Sequence, residues 1–387
     1  MGVMDCATQR EAMVALLRER QHVSEPVAAA MRDVPRHLFV PGVEPQDAYR
    51  DEPIVTKRDD EGRPISSSSQ PAIMATMLDQ LDVALGHRVL EIGAGTGYNA
   101  ALLARLVGPE GRVVSVDIDE DLVAGAREHL AAAGESRVEV VRGDGAAGHP
   151  ELAPYDRLIA TVGVWDLAPA WLAQLRPDGR LVVPLDLRGV QVSVAMERDD
   201  GHWVSRSVAP CGFMRMRGPF AGPEVVIVLR RDPELMLALP GPRKLGDVAA
   251  ALDAAPTEIT TKVEEPAPVP VIGMGMSLWL ALHEPRWCAL SGQTAAGPAI
   301  SAGLVEGDSI AVLAAEGFLV ARGHGGAGAR LAADLAGHVA AWDEAGRPQA
   351  GDLRVKAYPG QADAEGIVIR KQHTTLELSF RSPARGS

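Results

Sequence analysis

Three features of this sequence predict an α/β fold: a mostly parallel, doubly covered sheet, with helices ahead of it and an α+β accessory region behind it. Between residues 88 and 185, short β-branched runs alternate with stretches of helical periodicity, joined by short connections. The first strand-to-helix junction is the glycine-rich Gly93-Ala-Gly-Thr-Gly97, the kind of tight turn that lets a backbone approach a nucleotide-sized molecule. Finally, 387 residues exceed the roughly 100–200 of one domain, so the chain is divided into residues 1–222 and 223–387.

Taken in order, Thr8-x-x-Glu11 has the form of a capping box ahead of Met13, Leu16 and Leu17, and predicts a first helix. A second short helix runs from Ser24 or Pro26 to Met31. Val34-Pro-Arg-His-Leu-Phe-Val-Pro41 breaks helicity with two prolines and reads, by composition, as a connecting segment that continues through Ala48-Tyr49 to Pro53. Lys57 to Arg63 is expected as a charged, exposed loop. Ser66, Ser67, Ser68 and Ser69 then lead through Gln70-Pro71 into a helix in which Ile73, Met74, Met77, Leu78 and Leu81 recur at helical spacing. Proline suits a helical first turn, so the serines are expected at a helix N-terminus, where free N–H groups and the macrodipole converge on an anion. The plainer alternative is one capping serine in a flexible tract.

The central part reads as strand Arg88–Ile92, helix Ala100–Val107, strand Arg112–Asp117, a helix from about Leu122 to Ala132, and strand Val138–Arg142 running into Gly143-Asp144-Gly145. Tyr155–Thr161, a helix over Ala168–Gln174 and a strand ending at Leu185 follow. Val190–Met196 and Trp203–Val208 flank Asp200-Gly201, a hairpin signal that adds an antiparallel edge. Ligands of such sheets sit outside the carboxyl ends of the strands.

Spacing separates two cofactor classes. A dinucleotide fingerprint would need a glycine where this chain has Tyr98, and the Lys-Ser/Thr of a P-loop is missing. The spelling Glu91-x-Gly93-x-Gly95-x-Gly97 instead resembles motif I of class I methyltransferases, which have a Rossmann-like sheet. That resemblance implies S-adenosylmethionine, with Glu91, Gly93, Gly95 and Gly97 around its methionine end, Asp117 on the ribose hydroxyls, and Asp144 with Gly145 at the adenine.

The resemblance goes further. Val34–Pro41, Ala48-Tyr49 through Pro53, Ser69-Gln-Pro71, Val89–Tyr98, Gly143-Asp-Gly145, Ala153–Asp156 and Leu175–Pro184 together are similar to the protein-L-isoaspartate O-methyltransferase family, over roughly residues 8–222. In that family a Thr-Ile-Ser ahead of the helix helps to hold the substrate carboxylate. Ser69 matches its serine, while Ser67 and Ser68 replace the Thr-Ile pair. The segment after Pro53 is also longer than usual, and Ala146 stands where a larger side chain is common.

The extension from about Glu224 has Pro-rich joints at Pro240–Pro242 and Glu265–Pro270, a Gly/Ala-rich segment Gly323–Gly337, and strands at Ile310–Ala314 and Ile367–Arg370. Trp279, Trp287 and His283 are expected as packing residues. Such an extended form resembles actinobacterial homologues that accompany ribosomally made, modified peptides. The resemblance implies methylation of an aspartate side chain in a precursor peptide, the ester closing to aspartimide. Isoaspartate repair is the second reading, and a peptide- or partner-binding module on an inert fold the third.

The totals narrow the field. With 38 basic against 51 acidic residues, and a net charge of −10 in residues 1–224 against −3 beyond, the first part repels phosphate backbones, so a peptide or protein substrate is expected and nucleic acid is not. No apolar run approaches the ~20 residues of a membrane span and no signal-peptide order opens the chain, so no membrane partner and a cytoplasmic location are expected. Cys6, Cys211 and Cys288 are too few and too scattered for a cysteine-rich zinc pattern, and no metal is expected.

Overall fold

The computed structural model describes residues 5–60, 62–218, 220–265, 274–294 and 297–381. Helix α1 (Cys6–Arg20) is capped by Asp5, whose carboxylate accepts from the N–H groups of Ala7 and Thr8. The cap expected on Thr8 is therefore displaced upstream, because an ionised acceptor takes the free N–H groups of the first turn. Glu11 instead pairs with Arg32. Helices α2 (Glu25–Asp33) and α3 (Pro45–Ala48) follow, each with proline in its first turn, and a 3-10 turn over Arg36–Phe39 lies between them.

Strands β1 (Ile54–Arg58) and β2 (Pro64–Ser68) pair antiparallel, with Lys57 opposite Ser66 and Val55 opposite Ser67. This corrects two expectations. The charged loop is a hairpin, and Ser66, Ser67 and Ser68 lie in a strand rather than at a helix end; strand pairing supplies the backbone partners that a loose tract would leave to water. Ser69 alone stands between β2 and Gln70, the N-cap of α4 (Pro71–Leu81).

The main sheet is built from β3 (Arg88–Ile92), α5 (Tyr98–Val107), β4 (Arg112–Asp117), α6 (Glu120–Ala132), β5 (Glu139–Arg142), β6 (Tyr155–Ala160), α7 (Pro169–Gln174), β7 (Leu175–Leu187), β8 (Val190–Asp199) and β9 (His202–Pro210). Strands β5, β4, β3, β6 and β7 run parallel in that spatial order; β8 and β9 continue it antiparallel. Asp200 and Gly201 both have positive φ, 40° and 81°, the conformation a two-residue hairpin turn of matching twist requires.

The second half forms β10 (Val225–Arg231), β11 (Glu234–Leu239), α8 (Val248–Leu252), β12 (Thr257–Glu265), α9 (Met274–His283), β13 (Trp287–Thr294), β14 (Gly297–Glu306), β15 (Ser309–Ala315), β16 (Gly317–His324), α10 (Gly328–Glu344), β17 (Leu353–Pro359), β18 (Ile367–Arg370) and β19 (Thr374–Phe380). The seven strands β10-β11-β13-β14-β15-β16-β12 make an antiparallel sheet. The last three return to the first sheet: β17 pairs with β9 through Lys356–Val204 and Ala357–Trp203, giving ten strands in all. Residue 222 thus lies just before the second sheet begins but is not where the first one ends, and β9 is interior rather than the expected edge. Of the Pro-rich joint at 265–270, residues 266–270 lie outside the described residues. The Gly/Ala-rich stretch is largely α10.

Side-chain alternation along the strands explains how both faces are covered. Val89, Val113, Ile159 and Val182 pack under α1, α2, α4, α5 and α6, with Leu17, Met31, Leu78, Leu102 and Leu130. Their neighbours Leu90, Val114, Leu158 and Leu181 belong to the other core, which includes Trp171 of α7 but also Leu280 of α9, Leu335 of α10 and Leu378 of β19. The second half therefore shares a core with the first. Trp287 is buried there and donates to the Arg188 carbonyl at 2.8 Å, while Trp279 stacks on His283 with ring centroids 3.9 Å apart.

Candidate active site

Because β3, β4, β5 and β6 are parallel, their carboxyl ends open on one side, and a cleft lies there that takes in about 920 Å³ together with the open space at its mouth. Glycine is required on its floor at two positions for spatial reasons. Gly93 has φ +99°, and a Cβ would sit 2.9 Å from Val162 and 3.0 Å from the Thr161 hydroxyl; a Cβ on Gly145 would sit 2.6 Å from Ile92. Gly97, also at positive φ, is the N-cap of α5. Asp117, at the end of β4, accepts from Gly95 N–H at 3.0 Å and from Asp119 N–H at 3.1 Å, which ties the glycine loop to the neighbouring strand end.

Glu91 lies beneath the loop. It is fully buried, and its oxygens accept from Asn99 Nδ2 at 2.7 Å and Ser115 Oγ at 2.5 Å. Burial, with Asp117 close by, pushes its carboxyl up to about 7 against the lowering effect of the two hydrogen bonds. The structure thus gives Glu91 a part in shaping the loop from behind. Asp144 is exposed and caps the short turn Gly145–Ala147 through Ala146 N–H at 2.9 Å; the Gly145 carbonyl accepts from Trp171 Nε1 at 2.7 Å. A glycine floor that a Cβ would fill, with acids at two successive strand ends, suits a nucleoside carrying a small polar tail.

Ser66, Ser67, Ser68 and Ser69 form the facing wall. Their alternation in β2 decides which hydroxyls are available. Ser66 accepts from the Thr56 hydroxyl at 3.2 Å and Ser68 lies 3.4 Å from Arg36 Nη2, both buried, whereas the Ser67 and Ser69 hydroxyls have no hydrogen-bond partner among the described residues. Arg36 holds this wall. Wholly buried, it donates to the carbonyls of Ala48 at 2.5 Å, Arg50 at 3.2 Å, Glu52 at 3.3 Å and Ser69 at 2.9 Å. Composition had made its segment a plain connection; the one signal for Arg36 was its place in the Val-Pro-Arg block.

Sequence reasoning missed a third wall, Phe213–Arg217, which lines the cleft beside Thr161 and Val162. Gly163 holds it from below, donating to the Met214 carbonyl and accepting from Met216 N–H. Arg215 turns away to Asp186 at 2.7 Å and to Glu224. Behind these residues, Lys371 from the β18–β19 turn is buried and donates to the carbonyls of Trp165 and Asp186, while Asp166 accepts from His373 N–H at 2.6 Å and the Thr374 hydroxyl at 2.5 Å. Desolvation lowers the Lys371 ammonium to about 8, opposed by Asp186 and Asp166. No pattern of spacing announces contacts of this range.

Comparisons agree with this geometry. Residues 8–218 match the family described as protein-L-isoaspartate(D-aspartate) O-methyltransferase. The chain is 41% identical over 212 residues to the protein-L-isoaspartate O-methyltransferase of Methanopyrus kandleri, covering 54% of this chain and 91% of that one. It is 40% identical over 179 residues to the protein of the same name from Thermotoga maritima, covering 46% of this chain and 56% of that one. A solved protein-L-isoaspartate O-methyltransferase superposes with a TM-score of 0.53 and 25% identity, covering 90% of this chain and 96% of its own. A glycine loop between strand-end acids, a facing serine wall and a match across more than half of the chain lead to one conclusion: the protein belongs to the protein-L-isoaspartate O-methyltransferase family, the S-adenosylmethionine-dependent protein carboxyl methyltransferases.

Proposed function

We propose that this protein methylates the free α-carboxylate of L-isoaspartyl residues in proteins and peptides. The observation that carries the reading is one cleft lined on one side by the Gly93–Gly95 loop and on the other by Ser66–Ser69, of which the Ser67 and Ser69 hydroxyls have no hydrogen-bond partner among the described residues. Bound there, S-adenosylmethionine supplies an electrophilic methyl group. Gly93, Gly95 and Gly97 would let the backbone approach its methionine end, Asp117 would hold the ribose hydroxyls, Asp144 and Gly145 would meet the adenine, and Glu91 would shape the loop. Ser69, with Ser66, Ser67 and Ser68 around it, donates to one oxygen of the acceptor carboxylate and leaves the other free to attack. That nucleophile is already ionised at neutral pH (reference pKa about 4), so no strong base is needed. The contribution of the chain is orientation, worth up to ~7–11 kcal/mol as effective molarity.

A second reading is methylation of an ordinary aspartate in a ribosomally made, modified precursor peptide. Attack by the next backbone nitrogen would then expel methanol and close aspartimide. Ser67 and Ser68 in place of the family's Thr-Ile favour it. The second half no longer does, since a solved isoaspartate methyltransferase spans 90% of this chain. Incubation with S-adenosylmethionine and an isoaspartyl peptide or its aspartyl twin separates the readings: base-labile methyl ester on the isoaspartyl peptide alone is expected. Methylation only of an aspartate in a modified peptide encoded beside the gene would reverse the order, and an unmethylated pair of substrates would leave a binding module.

A further inference from the structure

The contacts of the hairpin β1–β2 lead away from the serines. Lys57, opposite Ser66 in the ladder, reaches Asp119 at 2.8 Å and Asp121 at 3.0 Å. Asp119 also meets Arg217 of the third wall at 3.4 Å, and its own N–H donates to Asp117 at 3.1 Å. One residue therefore joins three walls of the cleft: its carboxylate, the side chain 11% exposed, holds the serine hairpin and the segment 213–217, and its backbone N–H holds the strand end assigned to the ribose. Helix capping explains part of this, since Asp119 accepts from Asp121 N–H as N-cap of α6. It does not explain why two cations from opposite walls converge on it.

We propose that Lys57 and Asp119 are positioning residues that clamp the acceptor strand onto the cofactor side, so that the hydroxyls of β2 sit at a set height above the Gly95 loop. Neither touches the reacting atoms. A Cβ on Gly95 would lie 3.8 Å from the Ser67 carbonyl and 4.0 Å from the Ser66 hydroxyl, so the two walls meet at the point that the clamp spans. Small displacements of an attacking group from its line are costly, up to ~100-fold in rate for about 1 Å. The clamp is charge-assisted at a part-buried site, where such contacts exceed the worth of a surface pair.

The inference rests on reading Ser66–Ser69 as the acceptor side, and the two are tested apart. Lys57→Met in the full chain should lower kcat/KM for the isoaspartyl peptide ~10–100-fold, through both kcat and the acceptor KM, with calorimetric affinity for S-adenosylmethionine unchanged. Lys57→Arg should restore most of the loss. Asp119→Asn keeps a good helix cap while removing the charge, and should lose no further activity when combined with Lys57→Met. Wild-type acceptor kinetics in folded Lys57→Met, a lowered thermal midpoint alone, or losses that simply add in the double variant would overturn the clamp. Alanine at 67, 68 and 69 together tests the reading beneath it: turnover retained by that folded variant sinks the serine assignment, whatever Lys57 does.

Discussion

The glycine floor and the Phe213–Arg217 wall line one cleft and are built in opposite ways. Gly95 and Asp117, joined by a hydrogen bond, are 22 residues apart, and the whole floor comes from consecutive strand–loop–helix units. The far wall leans on Lys371, whose carbonyl partners Trp165 and Asp186 are 206 and 185 residues away. A floor made of local units follows from strand ends and turn chemistry. A wall made at long range depends on the second half returning to the first sheet, so the two should fail separately.

The largest effect is expected at Lys371. In Lys371→Met two buried carbonyls lose their donor and the carboxylates of Asp166 and Asp186 lose a neighbouring cation, which should cost ~3–5 kcal/mol of stability. Urea unfolding measures this. Below its midpoint the variant should bind S-adenosylmethionine normally and show a raised acceptor KM; weakened cofactor binding would mean that the two sides are not separable.

Asp117→Ala makes the converse break. It removes the proposed ribose acceptor and frees Gly95 N–H, with ~1.5–3 kcal/mol expected for each charge-assisted bond lost. Calorimetry should show weaker cofactor binding, and unfolding a loss no larger than the two backbone bonds from Gly95 and Asp119 account for. Unchanged affinity would remove Asp117 from the cofactor site.

A pH series sharpens the picture of the floor. Glu91 is raised from 4.5 to about 7 in the folded chain, so between those values the native state holds a proton that the unfolded state has released, and stability falls as pH rises. Glu91→Gln can keep Asn99 as donor while Ser115 turns to accept, and should remove this slope, no more than ~1.4 kcal/mol per pH unit. A slope equal to that of the wild type in thermal unfolding between pH 5 and 7 would contradict the assignment.

The smallest effect tests where the floor borrows from farther along the chain. Trp171→Phe removes the Nε1 donor to the buried Gly145 carbonyl and should cost about 1–3 kcal/mol. A modest loss of cofactor affinity should accompany it, and none would mean that Gly145 is held by its backbone alone.

Much of the floor is legible in the sequence. Strand periodicity, a tight glycine turn and an acid at the next strand end are local properties, and so is the positive-φ pair Asp200-Gly201. The family's motifs point in addition to Ser69, which lines the cleft on the serine wall. What the chain does not display along its length is pairing at a distance. The serine run was expected at a helix end because composition cannot show that residues 54–58 lie beside it as a strand. β9 was expected at an edge because its partner β17 begins over 140 residues later, and hydrogen bonding between strands leaves no periodic mark on either one. Arg36 and Lys371 look like surface cations in sequence. Only the tertiary structure buries them, because the carbonyls that satisfy them come from segments that folding alone brings together.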